Sequence, residues 1–173
     1  MRLILGYLVL LTVVGTLFYL RRPAPPAPLA ASAAAPARER ARVVWISDGD
    51  TITASPIEGP YAGREQRIRL IGLDAPEMHP SPQCWAKQST DALAGLVPRG
   101  STITMEFDRR RFDDYKRQLR YIWNSAGILV NAEQLRLGNA RVLRIWPNVR
   151  HDKDFKTAAD QARTAGRGLW KSC

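Results

Sequence analysis

Residues 42–54 read Arg42-Val-Val-Trp-Ile-Ser-Asp-Gly-Asp-Thr-Ile-Thr-Ala54. Val43-Val44-Trp45-Ile46 and Thr51-Ile52-Thr53 are rich in β-branched residues, and Asp48-Gly49-Asp50 between them carries the residue that most easily adopts positive φ. Two strands joined by a tight turn is the reading. The turn also sets two carboxylates one residue apart, on a backbone fixed by the strands on either side.

Downstream, Gln66 to Leu73 predicts another strand, with Ile68, Leu70 and Gly72 on one face and Arg67, Arg69 and Ile71 on the other. Pro76, Pro80 and Pro82 make the next segment a loop. From Trp85 to Val97 the apolar residues recur at helical spacing until Pro98 and Gly100 end the run. Thr102 to Phe107 alternates again. Leu119 to Trp123 and Ile128 to Val130 flank Asn124-Ser125-Ala126-Gly127, a hairpin signal. Asn131 is suited to cap a short helix, Ala132 to Leu137, with Gly138 ending it in a left-handed conformation. Arg141 to Trp146 predicts one more strand. The closing helix, Asp154 to Ala165, puts Phe155, Ala158, Ala159, Ala162 and Ala165 on one face. Short strands with about three helices among them fit an α+β chain: a small β-barrel of the oligonucleotide/oligosaccharide-binding kind (OB-fold) with helices packed on it, better than a parallel sheet.

Upstream, Leu3 to Leu20 is free of charge. As a helix it would span about 27 Å at ~1.5 Å per residue, enough to cross a thin hydrocarbon core. Arg21 and Arg22 follow directly, so residues 1–22 are read as an uncleaved transmembrane anchor; a signal peptide cut near Ala31-Ser32-Ala33 is the competing reading. Residues 23–37 are a Pro/Ala-rich linker that cannot build a core. Residues 38–173 form the domain. Arg2 opposes Arg21 and Arg22 across the apolar run, so charge leans only slightly towards a cytoplasmic domain. The opposite orientation, a periplasmic or extracellular domain, is the one expected, and a disulfide between Cys84 and Cys173 would favour it.

The chain has 26 Lys and Arg against 16 Asp and Glu, a formal charge of +10. Such an excess suits a polyanionic partner, nucleic acid or an acidic membrane surface, although it also serves as a solubilising coat. Cys84 and Cys173 lack zinc spacing. They are either two unrelated thiols or one disulfide closing a loop of roughly 90 residues, worth about 4–5 kcal/mol on the chain-entropy model. His79 and His151 lie in polar stretches and are read as surface residues without metal or catalytic roles.

Three segments carry the chemistry: Asp48-Gly49-Asp50-Thr51, Arg69-Leu-Ile-Gly-Leu-Asp74-Ala75-Pro76-Glu77, and Asp114-Tyr115-Lys116-Arg117. Two neighbouring carboxylates, Asp50 and Asp74, suit a hard divalent cation that polarises a phosphoryl group. Arg69 and Arg117 offer planar, bidentate donors to phosphate. Glu77 could take a proton from water or orient it. Each segment alone has a plainer explanation as a turn, a loop or a solvated strand. Their order and combination are far more specific.

Together with Asp113-x-Tyr-x-Arg-x-Leu-x-Tyr121, Val130-Asn131, Leu135-Arg-Leu-Gly-Asn-Ala140 and Gly168-Leu-Trp170, these segments resemble the staphylococcal nuclease family over about residues 42–170. The resemblance implies a five-stranded barrel with three helices that cuts DNA and RNA with little sequence preference, needs Ca²⁺ and leaves 3′-phosphates. Carried over by position, Asp50, Asp74 and the Ala75 backbone carbonyl match the calcium ligands, with Asp48 behind them. Arg69, Arg117 and Glu77 match the catalytic side chains. Tyr115, Lys116 and Trp146 fall where substrate contacts lie, Trp146 being either a base platform or strand packing. One departure is Lys116, where the family has Gly: a turn needing φ > 0 would strain it by roughly 1 kcal/mol. The partners implied are nucleic acid and, through the anchor, a membrane; no protein partner is implied. The alternatives are a tethered barrel that binds nucleic acid without cutting it, and a structural protein whose basic face meets anionic lipid.

Overall fold

The computed structural model describes residues 38–173. The anchor read at 1–22 and the linker at 23–37 lie outside them. Among the described residues no helix is long and apolar enough to cross a membrane.

Five strands close a barrel: β1 (Arg38–Ile46), β2 (Thr51–Pro56), β3 (Gln66–Leu70), β5 (Thr102–Glu106) and β6 (Gln118–Trp123), in the order β1-β2-β3-β6-β5. β1 pairs antiparallel with β2 on one side and with β5 on the other, which closes the sheet and leaves no open edge in it. β3 and β6 run parallel, with Arg69 opposite Leu119. That single parallel pair brings the chain just before β6 alongside β3. The barrel is filled from inside by Val43, Ile52, Ile68, Leu70, Ile103 and Ile122, all essentially buried.

The stretch 66–73, expected as one strand, breaks at Ile71. Gly72 has φ 89°, and a Cβ there would sit 2.2 Å from the Phe155 ring. The chain turns at that glycine and leaves the barrel as β4 (Gly72–Asp74), which pairs with β7 (Arg141–Leu143) in a separate two-stranded sheet. β7 is shorter than the expected 141–146. Strand alternation in the sequence could not register a change of partner.

Helix α1 (Ala86–Leu96) and helix α3 (Asp152–Thr164) match the expected periodic runs to within two residues, and a four-residue turn of helix, α4 (Leu169–Ser172), ends the chain. α2 spans Val130–Arg136 rather than 132–137, so Val130 opens a helix instead of closing a hairpin strand. Leu129 is its N-cap and no side chain caps it. Asn131 is instead fully buried inside α2. Its amide donates to the carbonyls of Ile71 (2.9 Å) and Arg120 (3.2 Å) and its oxygen accepts from the Ile122 NH (2.9 Å). The side chain tempting as a cap satisfies three backbone groups where β3, β6 and α2 meet. Gly138 ends this segment with φ 75°.

His151 also departs from expectation. It is half-buried, with its ring 4.6 Å from Tyr121 and 6.0 Å from Phe155, in an aromatic cluster under the barrel. Its polar sequence neighbours carried no information about what packs on it in space.

Candidate active site

The Asp48–Asp50 turn is pressed against the body of the molecule. A Cβ on Gly49 would stand 1.9 Å from Ser89 Oγ of α1, so only glycine permits this approach. From α2, Gln134 donates its amide to the Gly49 carbonyl at 2.8 Å and to the Ser89 carbonyl at 3.1 Å. Asn139 in turn donates to Gln134 Oε1 and accepts from the Trp85 indole, both at 3.0 Å. These side chains, unremarked in the sequence, hold the turn from behind. For Gln134 a signal was available: a polar residue standing between Val130 and Leu135, where a helix buries one side.

On this support Asp50 is 3% exposed. Its Oδ1 accepts from Thr51 Oγ1 and its Oδ2 from the Ala75 NH, each at 2.8 Å, while its own NH donates to Asp48 Oδ1 at 3.0 Å. Arg69 rises from β3 and places Nη2 3.1 Å from Asp50 Oδ2 and 3.1 Å from Asp74 Oδ1. Its Nη1 donates to the Leu70 and Leu73 carbonyls at 3.0 and 2.7 Å. One guanidinium therefore joins the turn after β1, the strand β3 and the end of β4. Asp74 itself keeps about half its side chain in solvent.

The electrostatics of this cluster are unbalanced. Burial pushes the Asp50 carboxyl up to about 7, helped by the charge of Asp48, and neither Arg69 nor the Ala75 and Thr51 hydrogen bonds bring it back. The ionised form thus lacks positive charge at this spot. Among the described residues no group of three or more His, Cys, Asp and Glu gathers as a ready-made metal cage. What gathers is a pair of carboxylates converging on one cationic nitrogen. An all-oxygen pair deficient in positive charge fits a hard cation that completes its shell with carbonyls and water, and does not fit a soft-ligand metal.

Arg117 precedes β6, and the parallel register beside β3 carries it to the same side of the barrel as Arg69. The turn before it is wound around Asp113, whose Oδ1 accepts from the Tyr115 NH (3.0 Å) and the Arg117 NH (2.8 Å) and whose Oδ2 meets Arg117 Nε at 2.6 Å. Asp113, not Asp114, is the acid that orients Arg117; Asp114 pairs with Arg110 at 2.5 Å. Lys116 lies at φ 61° in this turn, the left-handed conformation that glycine would take without strain. The Arg117 guanidinium lies 5.4 Å from the ring centroid of Tyr115, which is 79% exposed.

Asp48, Asp50, Arg69, Asp74 and Ala75 are thus joined in one cluster. Glu77 follows two residues after Ala75, exposed, with its main chain bonded to Gln83. Glu77, Arg117 and Trp146 contribute no hydrogen bond or ion pair to the cluster among the described residues. Trp146 is exposed beyond β7, with Arg144 over its ring at 5.6 Å. Beside Asp74 a cavity of about 210 Å³ is bounded by Ala75, Pro76, Gln83, Arg141 and the Cys84–Cys173 disulfide.

Residues 67–172 match the family described as staphylococcal nuclease homologue. The chain is 27% identical over 134 residues to a thermonuclease of Staphylococcus hyicus, covering 76% of this chain and 75% of that one. It is 32% identical over 158 residues to a protein called ParB of Escherichia coli, covering 87% and 83%. It is 29% identical over 139 residues to a protein named as an uncharacterized endonuclease of Haemophilus influenzae, covering 80% and 70%.

Proposed function

Since the chain belongs to the staphylococcal nuclease family, we propose that it is a Ca²⁺-dependent nuclease that hydrolyses DNA and RNA with little sequence preference and leaves 3′-phosphates. The observation that carries this reading is the Arg69 nitrogen 3.1 Å from both Asp50 and Asp74. A phosphate clamp and two hard-cation ligands are already in contact there.

Asp50, Asp74 and the carbonyl of Ala75 would hold Ca²⁺, with Asp48 steadying the Asp50 main chain. When bound, the cation neutralises charge that grows on the phosphoryl oxygens. Arg69 exchanges its carboxylate partners for phosphate oxygens, which is possible because Asp74 is half-exposed. Arg117 keeps its Nε on Asp113 and turns its terminal nitrogens to the same phosphate. Glu77, exposed and free to face substrate, orients a water or takes its proton. Tyr115 and Lys116 donate to a neighbouring phosphate, and the exposed Trp146 stacks on a base.

The domain works outside the cytoplasm, held by the anchor at 1–22. The disulfide supports that sidedness, because such crosslinks persist in oxidising compartments. The test is digestion of single-stranded DNA and RNA by the full-length chain with Ca²⁺, its arrest by chelator, and analysis of the product ends. The same digestion by intact cells tests sidedness. The strained Lys116 beside Arg117 favours one other reading, a barrel that binds nucleic acid without cutting it. Tight, salt-sensitive binding with no cleavage in millimolar Ca²⁺ would establish that instead.

A further inference from the structure

Glu77 has no side-chain partner among the described residues, so its main chain alone fixes where its carboxylate stands. That main chain is held at one place. The Glu77 NH donates to Gln83 Oε1 at 2.9 Å, and the Gln83 NH donates to the Glu77 carbonyl at 2.9 Å. The two contacts close a neck, and residues 78–82 loop outside it, mostly exposed. Below the neck, Gln83 accepts from the Ala86 NH at 3.0 Å, and Trp85 bonds Asn139 at 3.0 Å. Between these lies Cys84, covalently joined to Cys173, the last residue of the chain. Gln83, Cys84 and Cys173 share with Asp74 and Ala75 the wall of the 210 Å³ cavity.

We infer that Gln83 is a positioning residue for Glu77, and that the Cys84–Cys173 disulfide holds Gln83 in place, so that turnover depends on this crosslink being oxidised. The inference rests on the proposed role of Glu77 as the group that handles water. The physical argument is one of leverage. A proline-rich loop without secondary structure has little stiffness of its own, and the disulfide ties its base to α4 beside the site. With the bond cut, the neck is held only by hydrogen bonds that exchange readily with water. A shift of about 1 Å in a catalytic carboxylate can cost on the order of 10²-fold in rate. The chemistry of the switch is simple. A dithiol reductant passes two electrons and two protons to the bond; the sulfur–sulfur bond breaks, Cys84 and Cys173 become thiols, and the reductant closes to its own disulfide. A nuclease built this way would be weak in a reducing compartment and reach full rate only after oxidation.

The test uses the full-length oxidised chain, with kcat and KM measured separately on single-stranded DNA. Gln83→Leu removes the acceptor for the Glu77 NH, whereas Gln83→Glu keeps an oxygen there. For Gln83→Leu a fall in kcat of about tenfold to a hundredfold is expected, with KM within about twofold, and Gln83→Glu should recover most of the rate. Reduction with a dithiol, and separately Cys84→Ser with Cys173→Ser, should lower kcat in the same way at a temperature where melting curves show the chain folded. Reoxidation should restore the reduced sample. Wild-type kcat in Gln83→Leu, or losses that merely follow the unfolded fraction, would overturn the inference while leaving the nuclease reading intact. If the oxidised unmodified chain fails to cut nucleic acid, the nuclease reading falls and this inference falls with it.

Discussion

Arg69 Nη2 and Asp50 Oδ2 stand 3.1 Å apart with both side chains about 95% removed from solvent, at 6% and 5% exposure. A buried pair of this kind is costly to break from one side, because the remaining charge has no solvent to turn to. Arg69→Ala should therefore lose about 3–5 kcal/mol of stability in urea unfolding, along with an activity loss of roughly 10²–10³-fold. Glu77→Gln should separate the two effects. Its side chain is exposed, so unfolding should stay within about 0.5 kcal/mol of the parent, while cleavage falls by orders of magnitude.

Lys116 at φ 61° offers a gain rather than a loss. Left-handed geometry costs an ordinary residue about 1–2 kcal/mol, partly offset because glycine gives the unfolded chain more freedom. Lys116→Gly should stabilise the domain by about 0.5–1 kcal/mol in urea unfolding. A destabilised glycine variant would show that the lysine side chain makes contacts worth more than the strain.

Asp113 should leave a signature in the pH dependence of stability. Partial burial pushes its carboxyl up, but the Arg117 side-chain and main-chain hydrogen bonds, the Arg117 charge and the Tyr115 NH more than reverse this and hold it below the usual range. The unfolded chain then takes up its proton first as pH falls. The stabilisation is complete above the unfolded value of about 4 and is lost as pH drops through the depressed folded value. Asp113→Asn should be clearly less stable than the parent at pH 7, and the gap should close in unfolding measurements near pH 3.

Asn131 tests the packing of the barrel against α2. Asn131→Leu would leave the Ile71 carbonyl and the Ile122 NH without their partner, while the Arg120 carbonyl keeps its bond from the Ile71 NH. At about 1–3 kcal/mol for each buried group left unpaired, the variant should lose at least ~2 kcal/mol, read from its unfolding midpoint. Asn131→Asp, at a pH where the acid is neutral, keeps the acceptor but offers one O–H in place of the amide's two N–H donors, so it should fall between parent and Leu.

The carboxylates and arginines could be read from the sequence because each lies in a short, dense motif. The turn at 48–50 is dictated by its glycine and flanking β-branched residues, and Arg69 through Glu77 is local in the chain. The groups that hold them were harder to see. Asn131 reads as a cap, since a polar side chain does not announce whether its partner is water or a buried carbonyl sixty residues away.

By itself the sequence determined which residues alternate, which turn and which can bear charge, because those properties depend on near neighbours and the chemistry of each side chain. Tertiary structure alone decided that Gly72 redirects a strand under Phe155, that Arg69 spans two carboxylates, and that Cys173 is bonded to Cys84 in the wall of the cavity beside Asp74. The reason is that burial, crosslinking and charge balance arise between segments far apart in the chain, and exist only once the barrel has closed.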